Sequence, residues 1–182
     1  LRSILSQDFD HSFGFLIIDD SSTDGTLEVI KQVLSEVDEY SNFDIFVVSH
    51  VTNQFRRGRT FIREVFNSLN SKFIAFCDGD DAWQDSRKLQ KQYEFMVSET
   101  GAAFSVCGHD AIVVSDQGVT IQENKLPPDA RRDYDEIALK QCDCFLLSNT
   151  LFFRGEVKFP THLGNVPNGD NVLWSTFGFY GA

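Results

Sequence analysis

The chain of 182 residues is 42% hydrophobic, long enough for one domain with a sizeable core. Its formal net charge of -11 and pI near 4.6 argue against a nucleic-acid binder, whose affinity comes chiefly from clustered Lys and Arg. No run approaches the ~18 apolar residues of a membrane span and no signal peptide opens the chain. The expectation is therefore a cytoplasmic domain, with peripheral contact at the inner face of the membrane left open.

In chain order, Leu1 to Ser6 read as the tail of a helix, so something is expected to be missing before it. Phe15 to Ile18 form a short apolar strand that ends in Asp19 and Asp20, followed by the polar turn Ser21 to Thr26. Val29, Ile30, Val33, Leu34 and Val37 then recur at helical spacing, with Ser22, Thr23 or Asp24 as the expected cap. The unit repeats: Ile45 to Val48 reads as a strand, and Phe61, Ile62, Val65, Phe66 and Leu69 as the buried stripe of a helix. Arg56, Arg57, Arg59 and Arg63 are the one basic cluster, either a solvated face or a counter-charge for a phosphorylated ligand.

The next apolar run, Phe73 to Cys77, ends in Asp78, Gly79, Asp80 and Asp81. Three crowded carboxylates must be solvated, protonated or bridged by a cation; a solvated acidic turn explains them as well as a metal site does. In open α/β sheets ligands bind outside the carboxyl ends of strands, so two acid-tipped strands in one sheet would face one crevice.

Leu89, Tyr93 and Met96 mark a further amphipathic helix. Strand and helix alternate to this point, which implies a mainly parallel sheet flanked by helices. After Ala102 the texture is mixed and less regular. Phe104 to Cys107 and Ala111 to Val114 read as strands, Asp116 to Gly118 as a turn, Tyr134 to Lys140 as a helix and Phe145 to Phe153 as an apolar run. Cys77, Cys107, Cys142 and Cys144 lack zinc-type spacing, and Cys77 and Cys107 read as small core residues. Most of the 18 phenylalanines fall on expected core faces.

Taken together, LRSILSQDF (Leu1 to Phe9), IIDDSSTDGT (Ile17 to Thr26), FIAFCDGDDAW (Phe73 to Trp83) and KLQKQ (Lys88 to Gln92) closely resemble glycosyltransferase family 2. Asn53 to Phe55, NTLFFR (Asn149 to Arg154) and Gly169 with Asp170 extend the similarity. The resemblance implies an α/β fold of GT-A type and an inverting transfer of sugar from a nucleotide-diphosphate sugar, UDP-linked in particular, to a hydroxyl of a glycan or lipid-linked acceptor in surface polysaccharide synthesis. It places Asp19, Asp20 and Asn53 at the nucleotide, Asp78 toward the ribose, and Asp80 with Asp81 on Mn2+ or Mg2+. Asp170 falls where the family carries its general base; by pattern alone an Asp there is a helix cap. Trp83 is a candidate for the acceptor side, or for packing.

Family members normally begin with a strand that is missing here, and many carry an acid where this chain has Gly169. The expected organisation is a single domain over 1–182, with a nucleotide-binding half to about residue 100 and an acceptor half beyond. Three other readings remain. A non-catalytic relative would need only the donor acids. A Mg2+-dependent receiver-like phosphotransfer domain also pairs strand-end acids, though it lacks three packed ones. A phosphatase with a DxDGT signature would need Asp where Ser22 stands.

Overall fold

The computed structural model describes residues 1–36, 43–57, 61–162 and 168–181. Val37 and Arg59 of the sequence reading lie outside these residues, as does the Arg57 side chain. The chain forms two compact units, Leu1–Phe61 with Ala82–Gln90, and Ile62–Asp81 with Lys91–Ala182. Residues 62–81, carrying the acid loop, thus share a unit with the acceptor half.

In the first unit a short helix α1 (Arg2–Leu5) leads to strand β1 (Phe13–Asp19), helix α2 (Thr26–Ser35) and strand β2 (Phe43–Ser49). β1 and β2 pair in parallel, from Phe13 opposite Phe43 to Asp19 opposite Ser49, the strand-turn-helix-strand unit that the apolar periodicity predicts. The cap of α2 differs from expectation: Gly25, left-handed at φ 86, stands at the N-cap, where glycine adopts positive φ at no steric cost. Asp24 Oδ1 accepts from Thr26 N at 3.2 Å and Thr26 Oγ1 at 2.6 Å, so it braces the first turn from one residue further out.

The SQDF loop meets the KLQKQ segment. Gln7 Oε1 accepts from Leu89 N at 3.1 Å, its amide nitrogen donates to Asp85 O at 2.9 Å, and Trp83 N donates to Ser3 Oγ at 3.1 Å. The Lys88 ammonium, on a residue only 4% exposed, lies 4.2 Å from the Trp83 ring centroid, a cation-π contact that gives this Trp a packing role.

The second unit contains helix α3 (Ile62–Ser68), strand β3 (Phe73–Ala75), most of helix α4 (Lys88–Val97), strands β4 (Val106–Cys107), β5 (Val113–Val114) and β6 (Thr120–Gln122), helix α5 (Glu136–Gln141), strand β7 (Phe152–Arg154) and helix α6 (Gly169–Phe177). β7 is central in a three-stranded sheet of order β3-β7-β4 and runs antiparallel to both neighbours. Among the described residues the parallel pairing is confined to β1 and β2, and the rest of the sheet structure is antiparallel.

The core packs Phe66, Phe153, Phe159 and Phe177 with ring centroids 5.3 to 5.6 Å apart. Such tilted and edge-on contacts satisfy the ring quadrupoles. The expectation that the phenylalanines lie mostly inside holds only in part, because Phe46, Phe55, Phe95, Phe145 and Phe179 are exposed. Arg63 is 3% exposed on α3 and so belongs to no solvated face, whereas Arg56 is exposed.

Candidate active site

The seven residues singled out in the sequence fall into two groups, one in each unit. In the first, Asp19 ends β1 and is 3% exposed. Its Oδ1 accepts from Ser22 N at 3.3 Å and its Oδ2 from Ser49 Oγ at 3.0 Å, so both oxygens close the turn. Asp20 is half-buried. Its Oδ1 lies 2.9 Å from His50 Nδ1 and accepts from Gln54 N at 2.8 Å, and its Oδ2 accepts from Phe55 N at 2.9 Å. Asn53 donates to Asp20 O at 2.8 Å and accepts from Arg56 N at 2.7 Å. These side chains lock the 50–56 loop onto the end of β1.

Both carboxyls are held below the ordinary range. For Asp19 the bond from Ser22 leads, opposed by burial and joined by Ser49. For Asp20 burial pushes upward, but the amides of Gln54 and Phe55 and the His50 ring outweigh it. A depressed carboxyl stabilises the fold above its unfolded value of about 4 and loses that stabilisation as pH falls through the folded value. Urea midpoints should therefore fall below about pH 4, and Asp20→Asn should lower the midpoint at pH 7 while flattening that acid limb. A mutant with the same acid limb as the wild type would contradict this role.

In the second unit β3 delivers the acid loop. Asp78, Gly79, Asp80 and Asp81 are all exposed, and Asp81 N closes a turn onto Asp78 O at 3.2 Å. A Cβ on Gly79 would meet nothing within 4 Å. Gly79→Ala should accordingly leave the free energy of urea unfolding within about 0.5 kcal/mol of wild type. A larger loss would place Gly79 in the fold itself.

Asp170 lies in the first turn of α6, and the sequence alternative of a helix cap is resolved against it. Asn168 is the N-cap, with φ -135 and ψ 113, and its side chain accepts from Asp170 N at 3.0 Å. The Asp170 carboxylate is free of capping and instead accepts from Ser148 Oγ at 2.8 Å.

The four acids share one negative field. Burial first, then the like charges of Asp80, Asp81 and Asp170, raise the Asp78 carboxyl above the ordinary range, and a bond from Asn149 opposes them. Asp78 as a whole residue is solvent-exposed, its carboxyl being the part drawn inward.

Among the described residues no three His, Cys, Asp or Glu side chains form a complete metal centre. Asp80 and Asp81 offer exposed hard oxygens, a partial set of the kind that Mg2+ or Mn2+ completes with phosphate oxygens and water. Asp78, Asp80 and Asp81 crowd like charge in one exposed turn, which such an ion would offset. The residues present fit a divalent cation.

Two residues of this site were missed in the sequence, Ser148 and Asn149, on a short 3-10 turn Ser148–Thr150. Asn149 Oδ1 accepts from Asp78 N at 2.9 Å, and its amide nitrogen donates to Asp81 Oδ2. Their signal was the polar stretch Ser148, Asn149 and Thr150 interrupting the apolar run from Phe145 to Phe153.

The acidic loop thus follows strand β3 in a mixed α/β fold, with the α6 carboxylate in the same field. The family model described as Glycosyl transferase family 2 matches residues 1–153. The chain belongs to that family.

It is 32% identical over 109 residues to TuaG of Bacillus subtilis (strain 168), covering 60% of this chain and 39% of that protein, whose name provisionally assigns it a glycosyltransferase role in teichuronic acid biosynthesis. It is 32% identical over 119 residues to EpsE of the same organism, provisionally named a glycosyltransferase, covering 65% and 39%. An uncharacterized Mycobacterium tuberculosis (strain H37Rv) protein is 26% identical over 153 residues, covering 83% and 41%. The chain thus spans 39% to 41% of the length of these relatives. No solved structure matches it. Among the described residues no helix is long and apolar enough to cross a membrane.

Proposed function

We propose that this domain transfers a sugar, with inversion, from a nucleoside-diphosphate sugar to a hydroxyl of a glycan or lipid-linked acceptor in surface polysaccharide assembly. The observation that carries it is the Asp170 carboxylate, released from capping by Asn168 and set in the field of the Asp78–Asp81 loop. Family membership and the names of TuaG and EpsE support the polysaccharide setting.

Asp170 Oδ1 is engaged by Ser148, which leaves Oδ2 to take the proton of the acceptor hydroxyl as its oxygen attacks the anomeric carbon. Attack from the face opposite the leaving diphosphate inverts the anomeric centre. Asp78 orients the ribose, and Asp80 and Asp81 hold Mn2+ or Mg2+, which when bound neutralises charge on the departing nucleoside diphosphate. In the first unit, likeness to the family assigns Asp19, Asp20 and Asn53 to the nucleotide, with UDP the expected carrier, and their hydrogen bonds close the turn after β1 and the 50–56 loop. Association with the inner membrane face follows where the acceptor is lipid-linked.

The test is turnover of a panel of UDP- and GDP-sugars by the intact protein with Mn2+ or EDTA, the product anomer being read by NMR. Cation-dependent release of nucleotide with an inverted product is the expected result. A retained anomer overturns the mechanism, and no turnover of any donor by folded protein favours the non-catalytic relative.

A further inference from the structure

We infer that Ser148 and Asn149 are positioning residues that set the acid loop and the base at a fixed spacing from one short turn. The inference deepens the proposed function and rests on it.

β3 and β7 are antiparallel, with Phe73 opposite Arg154 and Ala75 opposite Phe152. Continuing that register past the end of β3 brings Asn149 opposite Asp78. The bond from Asp78 N to Asn149 Oδ1, at 2.9 Å, closes the extension. A primary amide is the side chain that can accept from that N–H through its oxygen and donate to the Asp81 carboxylate through its nitrogen. One Asn therefore fixes both ends of the Asp78–Asp81 turn. Its neighbour Ser148 donates to Asp170 Oδ1 at 2.8 Å, which orients the carboxylate toward one free oxygen.

The turn that carries both residues is itself anchored. Thr150 is 4% exposed; its Oγ1 donates to Leu147 O at 2.8 Å and accepts from His109 N at 3.2 Å. Its carbonyl accepts from Gln92 at 2.8 Å. The chain then enters β7, the central strand of the sheet, whose Arg154 donates to Phe104 O at 2.8 Å and Met96 O at 3.0 Å. Two adjacent side chains on a rigid platform thus reach the donor-side acids and the base together. Catalytic spacing is sensitive to displacements of this kind, a misplacement of about 1 Å costing up to roughly 100-fold in rate.

The test is a set of variants of the intact protein, Ser148→Ala, Ser148→Thr, Asn149→Ala and Asn149→Asp, assayed for kcat and donor KM, with amide hydrogen exchange at Asp78. Ser148→Ala should lower kcat roughly 10- to 100-fold with donor KM unchanged, and Ser148→Thr, which keeps the hydroxyl, should recover most of it. Asn149→Ala should raise donor KM about tenfold and speed exchange of the Asp78 N–H. Asn149→Asp should be worse than Ala, because it adds a carboxylate to the acid loop. Wild-type turnover with kcat and KM unaltered in both alanine variants overturns this inference and leaves the proposed function standing. So does a Ser148→Thr variant no better than Ala. Absence of turnover in folded wild-type protein overturns the proposed function, and the positioning role with it.

Discussion

Asp170→Asn is expected to lower the kcat of transfer by roughly 10²- to 10⁴-fold while leaving nucleotide affinity and thermal stability at wild-type levels. The substitution is close to isosteric, and the amide oxygen still accepts from Ser148 Oγ. The start of α6 is unaffected because Asn168 supplies the cap. The amide cannot take a proton from the acceptor, so the loss falls on the chemical step alone. Rates of sugar transfer and nucleotide affinity measured on the same preparation check it. Equal loss of affinity, or a lowered melting temperature, would make Asp170 a structural residue.

Asp80→Ala has the second large effect, on binding. Asp80 and Asp81 would hold a divalent ion at the acid loop, and removing one of the two would leave a set too sparse to retain it. Replacing residues that merely support metal ligands costs about 10- to 100-fold in affinity, so loss of a ligand itself should cost on the order of 100-fold or more. The readout is the nucleotide-induced thermal shift in Mn2+, large in wild type and absent in the variant. Asp80 is exposed, so the unliganded variant should melt with the wild type. A shift of wild-type size in the variant would remove Asp80 from the donor site.

Much of this arrangement was legible in the chain because apolar runs of four or five residues ending in acids have few structural solutions. Both such runs are strands, and β1 to β2 has the parallel pairing that the intervening helix requires. Less legible was the partner of β3. Its neighbour β7 lies far along the chain, from an irregular half where short strands and 3-10 turns give no periodic signal. Without that pairing nothing in the sequence brings Asn149 to Asp78, so the acids were found and the residue that ties them was not.

The helix start at Asp170 shows the same limit. Asn168 and Asp170 are both good caps, and choosing between them takes backbone geometry, which here favours Asn168. At the other strand end, the pattern marked Asp19, Asp20 and Asn53 but could not tell direct ligand contact from bracing. Their hydrogen bonds close the turn and the 50–56 loop. A short polar side chain beside a turn satisfies backbone groups as readily as it meets a ligand.

The proposed transfer requires the Asp78–Asp81 loop to bind a nucleoside diphosphate through a divalent cation. Calorimetric titration of UDP and GDP into the intact protein, in Mn2+ and again in EDTA, tests it most directly. Saturable binding of one nucleotide in Mn2+ that disappears in EDTA is the expected result. Binding of equal strength in both, or none to folded protein in either, would contradict it.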